Sequence, residues 1–81
     1  MKITVQFFSY LKDLAGASQC LFELPLGATI AVLLDVLYLK FPKLEPMRKS
    51  TLIAVGVEYQ NRRYVLQEGD IVSLFPPVQG G

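Results

Sequence analysis

Eight basic and seven acidic side chains in 81 residues leave a net charge of +1, and their interspersed placement gives no electrostatic footing for nucleic acid or an anionic membrane. The chain has no histidine, the commonest general base and metal ligand, and its one cysteine precludes an internal disulfide and fits a reducing, cytoplasmic setting. An apolar fraction of 52% is high for a single small domain over residues 1–81, so either the core is well filled or an apolar patch faces a protein partner.

Lys2 to Phe7 alternates, with Ile3, Val5 and Phe7 on one side and Lys2, Thr4 and Gln6 on the other, the mark of a half-buried strand. The run is too short and too broken for a secretory signal. Phe8 interrupts the alternation and points to the polar side, where a large ring is costly unless something covers it. Tyr10 to Ala15, closing on Gly16, reads as a short turn or one helical turn, with Leu11 and Leu14 spaced to tuck under the sheet. Gln19 to Leu24 is a second strand with Cys20, Phe22 and Leu24 inward, so Cys20 reads as a small core residue rather than a nucleophile. Pro25 and Gly27 end this hairpin.

Thr29 is a good N-cap for a helix whose buried stripe is Ile30, Leu33, Leu34, Leu37 and Phe41. Pro42 stops it, and Lys40 in the last turn suits the helix dipole. The apolar run Ile30 to Leu34 is much too short to cross a bilayer. Val32, Val36 and Leu39 lie off the stripe, which calls for a covering loop or a partner; Leu44, Pro46 and Met47 favour the loop. Leu52 to Val57 is apolar on both faces, as a central strand is. Glu58 to Val65 is a polar excursion expected to hold a short edge strand, with Asn61 at a turn and Leu66 plugging back into the core.

Glu68-Gly69-Asp70 turns the chain into a last strand, Ile71 to Phe75, which Pro76 and Pro77 end because neither can donate a ladder hydrogen bond. Residues 76–81 then read as a flexible, extended tail. Gly80 and Gly81 have no side chains to block a narrow channel, and a proline-stiffened reach beyond a buried strand gives them more meaning than a frayed end has. The expectation is a tail that enters another protein's active site and presents its own carboxylate. If Val72 and Leu74 face the core, Phe75 falls on the open face of the sheet, and Phe8 with Pro76, Pro77 and Val78 continues a partner-binding strip.

Strand, strand, helix, strand, short strand, strand is the order of an α+β, ubiquitin-like β-grasp domain. Such a domain has a mixed sheet of about five strands, first and last side by side in the middle, with one main helix on one face.

The ending Phe75-Pro76-Pro77-Val78-Gln79-Gly80-Gly81 after Glu68-Gly69-Asp70-Ile71-Val72 resembles the small, sulfur-carrying subunits of molybdopterin synthase, the MoaD family. Phe7-Phe8, Leu11, Gly16, Thr29, Leu33 and Ala54-Val55 extend the resemblance along the chain. Lys12 and Gly56 depart from it, standing where the family often has arginine and asparagine.

The resemblance implies a carrier cycle with Gly81 as the reacting terminus. An adenylating enzyme of the ubiquitin-activating type, using ATP and magnesium, converts the Gly81 carboxylate to an acyl-adenylate, and a sulfur-donor enzyme turns that into a thiocarboxylate. The large synthase subunit then receives the tail, whose sulfur attacks a pyranopterin precursor of the molybdenum cofactor. The chain itself binds no cofactor and no metal, and acts as a co-substrate more than a catalyst. Two alternatives stand beside this reading. One is a related carrier or modifier serving thiamine, cysteine or tRNA thiolation; the other is an interaction module without chemistry.

Overall fold

The structure, a computed structural model, describes residues 1–77. β1 (Lys2–Phe7) and β2 (Gln19–Glu23) form an antiparallel hairpin whose connection holds α1 (Tyr10–Ala15). Gly16 ends α1 in the left-handed region, at φ 75°, and its N–H donates to Lys12 C=O at 2.9 Å. α2 (Ile30–Lys40) follows, then a 3₁₀ segment, Pro42–Met47. β3 (Leu52–Val55), the two-residue β4 (Glu58–Tyr59) and β5 (Ile71–Phe75) complete the element order. The five-stranded sheet runs β2-β1-β5-β3-β4, with β5 parallel to β1 and antiparallel to β3. This is the β-grasp arrangement the element order predicts, with first and last strands neighbours in the interior of the sheet.

Strand alternation decides what is buried. Ile3, Val5 and Phe7 from β1, Phe22 from β2 and Val72 and Leu74 from β5 are buried in one cluster with the residues of α2. From the helix come Ile30, Leu33, Leu34, Leu37 and Tyr38, a stripe at helical spacing. Burying each such Leu, Ile or Phe contributes roughly 1.5–3 kcal/mol. Phe41 sits just past the helix as its C-cap, half-buried, edge-on to Phe7 at 5.2 Å between ring centres.

The loop before β5 does more than turn. Thr29 caps α2 by accepting the Val32 N–H at 3.4 Å, and the next free helix donors find partners in residues 62–64: Ile30 N–H donates to Tyr64 C=O and Ala31 N–H to Arg62 C=O, both at 3.0 Å. Leu66 is buried beside them, as expected, and its N–H donates to Ala28 C=O at 2.9 Å. The expected edge strand is therefore only Glu58–Tyr59, because the rest of that excursion is spent closing the helix N-terminus.

Three further expectations are corrected. The third strand ends at Val55 rather than Val57, because Gly56 at φ 61° opens a two-residue hairpin loop and leaves Val57 exposed at its tip. That strand lies between β5 and the short β4, next to the edge rather than central. The 3₁₀ segment buries Leu44 but does not cover the outer side of α2: Val32, Val36 and Leu39 stay exposed. Arg48 is drawn instead to the flank of the helix, where it pairs with Asp35 and stands 5.2 Å from the Tyr38 ring. Burial pushes the Tyr38 phenol above its ordinary 10.0, against the opposing pull of the Thr51 hydroxyl and the Arg62 and Arg48 cations.

Candidate functional site

The sheet face turned away from α2 carries the residues between the core positions. The registers align them in rows: Leu21, Thr4 and Ile71; then Gln19, Gln6, Ser73, Ala54 and Tyr59. Phe75 stands opposite Leu52 at the end of the face. One residue past β1, Phe8 N–H donates to Leu74 C=O at 3.1 Å, which prolongs the β1–β5 ladder and sets Phe8 beside Phe75. The two rings stack with centres 4.7 Å apart and planes 15° from parallel. Tyr59 meets Phe75 edge-on at 6.4 Å. Geometry of this kind is worth about 0.5–1.5 kcal/mol per aromatic pair beyond area burial.

Ser9 holds the strip in place from one side. It is the non-glycine residue with positive φ among the described residues, at 56°, and it starts α1 immediately after Phe8. Leu11 N–H donates to Phe8 C=O at 3.2 Å and Lys12 N–H to Ser9 C=O at 3.1 Å, so the turn is locked at both residues. A non-glycine residue held at positive φ carries local backbone strain, here directly beside the exposed ring of Phe8. Beside it, Gln6, Phe7, Phe8, Ser9, Lys12, Ser18 and Gln19 line an open depression of about 280 Å³. Lys12 supplies its cation.

The alternation argument thus places Phe8 and Phe75 on one face, and the structure brings them into contact. Pro76 and Pro77 follow Phe75 half-buried at the end of the strip. Val78, Gly80 and Gly81, and with them most of the expected tail 76–81, lie outside the described residues. Sequence reasoning missed Tyr59 and Leu52. Both reach the strip only through the pairing of β3 with β5 and β4, and the signal that could have found them is the antiparallel register that aligns Leu52 with Phe75.

Chemically, this surface is aromatic and partly exposed. Phe8 at 38% and Tyr59 at 69% exposure offer ring area that a partner can desolvate, the character of an interface hot spot. Among the described residues, no three His, Cys, Asp or Glu side chains come together as a metal site, and no helix is long and apolar enough to cross a membrane.

Comparison with known proteins bears on what the strip serves. The ThiS family matches residues 5–81. The molybdopterin synthase sulfur carrier subunit of Arabidopsis thaliana is 33% identical over 81 residues, covering 100% of this chain and 84% of its own length. Among solved structures, SAMP1 from Haloferax volcanii aligns with a TM-score of 0.88 and 26% identity over 100% of both chains. The complex of subunits 1 and 2 of the Helicobacter pylori molybdopterin-converting factor contains a chain that aligns at 0.76 and 27% identity, again over 100% of both.

Proposed function

Since the chain belongs to the ThiS family and its full-length relatives are molybdopterin synthase sulfur carrier subunits, we propose that it is the sulfur-carrying small subunit of such a synthase. The observation that carries the reading is the end of β5. An aromatic stack on the open face, Phe8 on Phe75, stands where the sequence runs into Pro76-Pro77 and on to Gly80-Gly81. The strip docks a partner, and the glycines pass into that partner's active site as a thread without side chains.

The chemistry follows from what a carboxylate lacks. Its oxygen is a poor leaving group, so an activating enzyme of the ubiquitin-activating type must join the Gly81 carboxylate to the α-phosphate of ATP, with magnesium taking the released pyrophosphate. Sulfide delivered by a sulfur-donor enzyme then attacks the acyl carbon and AMP leaves, which gives a terminal thiocarboxylate, a soft nucleophile at neutral pH. In the large subunit this sulfur attacks a carbon of the pyranopterin precursor and displaces an oxygen substituent, and water then hydrolyses the resulting thioester, leaving the sulfur on the pterin and returning the Gly81 carboxylate for another round. The partners supply the acids, bases and cationic clamps. The complex of the two Helicobacter pylori subunits supports the large-subunit partner.

The test is intact-mass measurement after incubation with an activating enzyme, ATP, magnesium and a sulfur source. The expected product is heavier by one sulfur in place of one oxygen, and an unchanged mass sinks the carrier reading. The likeness to a small archaeal modifier favours a second reading, attachment of Gly81 to lysines of other proteins. That reading predicts isopeptide-linked species in place of the free thiocarboxylate.

A further inference from the structure

β2 forms one edge of the sheet, and its ladder to β1 identifies which backbone groups face outward. Phe7 N–H donates to Ser18 C=O and Leu24 N–H to Met1 C=O, each at 2.9 Å. Ser18, Cys20, Phe22 and Leu24 therefore bond inward to β1, while the N–H and C=O groups of Gln19, Leu21 and Glu23 point away from the sheet. Of the usual protections of such an edge, Gln19–Glu23 has no lysine, proline or bulge, and its one charge, Glu23, stands at the end of the strand opposite Lys2. The side chains of the same three residues lie on the open face, and Leu21 between them is 58% exposed.

We propose that β2 pairs antiparallel with β2 of a second copy of this chain, with Leu21 opposite Leu21 across a two-fold axis. The strand is complementary to itself in that register. Every outward N–H and C=O of Gln19, Leu21 and Glu23 gains a partner, because Leu21 exchanges bonds with its counterpart and Gln19 with Glu23 of the second copy. The Gln19 amide then donates to a carboxylate that already has Lys2 as its cross-strand neighbour. Leu21 meets Leu21, joining the row of Leu21, Thr4 and Ile71 to its counterpart in the second copy. Slipping the register by one residue turns the outward groups away from each other. Slipping by two sets Leu21 against Gln19 or Glu23 and leaves the far end of the strand unpaired.

Antiparallel pairing continues the sheet with both α2 helices on one side and both Phe8–Phe75 stacks free on the other. The contact is small. A five-residue strand edge buries less than the roughly 1,200 Å² of a stable interface, so the dimer is weak and concentration-dependent.

Sedimentation velocity on the full chain from micromolar to millimolar concentration should show the average mass rising toward two copies. Leu21→Arg sets like charges face to face and should weaken association at least about tenfold. Register is read by cross-linking in a Cys20→Ser background. Leu21→Cys should oxidise to a linked dimer, since opposed Cα atoms of a hydrogen-bonded pair lie about 5.5 Å apart, within reach of a disulfide. Gln19→Cys should link only when mixed with Glu23→Cys. A chain that remains monomeric at millimolar concentration, or a Gln19→Cys variant that links to itself as readily as Leu21→Cys, overturns the proposal.

Discussion

The two faces of this sheet are written by alternate residues of the same strands, yet they follow different rules. On the helix side Ile3, Val5, Val72 and Leu74 are at most 1% exposed and close-packed on α2. On the other side Phe8, Leu21, Tyr59 and Ile71 range from 38% to 69% exposure, although they are just as apolar. The strand period of two lets one register carry stability while the other is free to carry recognition. The difference also explains the high apolar content: the chain has a full core and an apolar surface besides.

The sharpest way to separate the two roles is to remove the residue proposed as the reacting terminus. Deleting Gly81 is expected to abolish sulfur transfer, measured as product formed with the large subunit, while the melting temperature stays unchanged. Retained transfer in the truncated protein refutes the carrier mechanism. Next in size is Leu74→Ala, which empties a fully buried position and should cost about 2–5 kcal/mol in denaturant unfolding. Phe75→Ala, its immediate neighbour, is expected to weaken binding of the large subunit by about 2 kcal/mol, roughly thirtyfold by titration calorimetry, with a smaller loss of stability. If the two variants proved alike in both assays, the division between the faces would fail.

The smallest effect concerns the helix flank. A tyrosine whose folded-state pKa is raised contributes stability that is fully present below 10.0 and is lost as the pH rises from there through the folded value. Alkaline unfolding should therefore steepen above pH 10, and Tyr38→Phe should remove that loss while leaving neutral-pH stability within about 1 kcal/mol.

The elements legible in the sequence are those whose signal is local. β1, α2 and β5 each carry a period, and Thr29, Pro42 and Pro76 mark their ends, so the buried faces of both strands follow from the residues; on α2 the expected stripe holds through Leu37, but its last member is Tyr38 rather than Phe41, because the helix stops at Lys40 and Phe41 becomes its C-cap. Phe8 and Phe75 were legible as open-face residues for the same reason. Their stacking was not, because strand order places β5 beside β1 without giving the register that sets Phe8 N–H on Leu74 C=O and the rings face to face. Tyr59 was hidden inside a polar stretch whose role as helix cap appears only once Tyr64 and Arg62 meet the first N–H groups of α2. Val57 was misplaced because the strand-like run conceals a left-handed glycine at Gly56, and no periodicity reports φ. The outer side of α2 was misjudged since an apolar residue does not by itself specify its cover.

The position of β5 has a mechanical consequence. Because it is held between β1 and β3, anything that draws lengthwise on the residues beyond Phe75 loads two ladders of rungs in shear rather than peeling a strand from an outer margin. A lengthwise load applied just past Phe75 is therefore shared across both neighbours of β5, and the sheet keeps its shape under it.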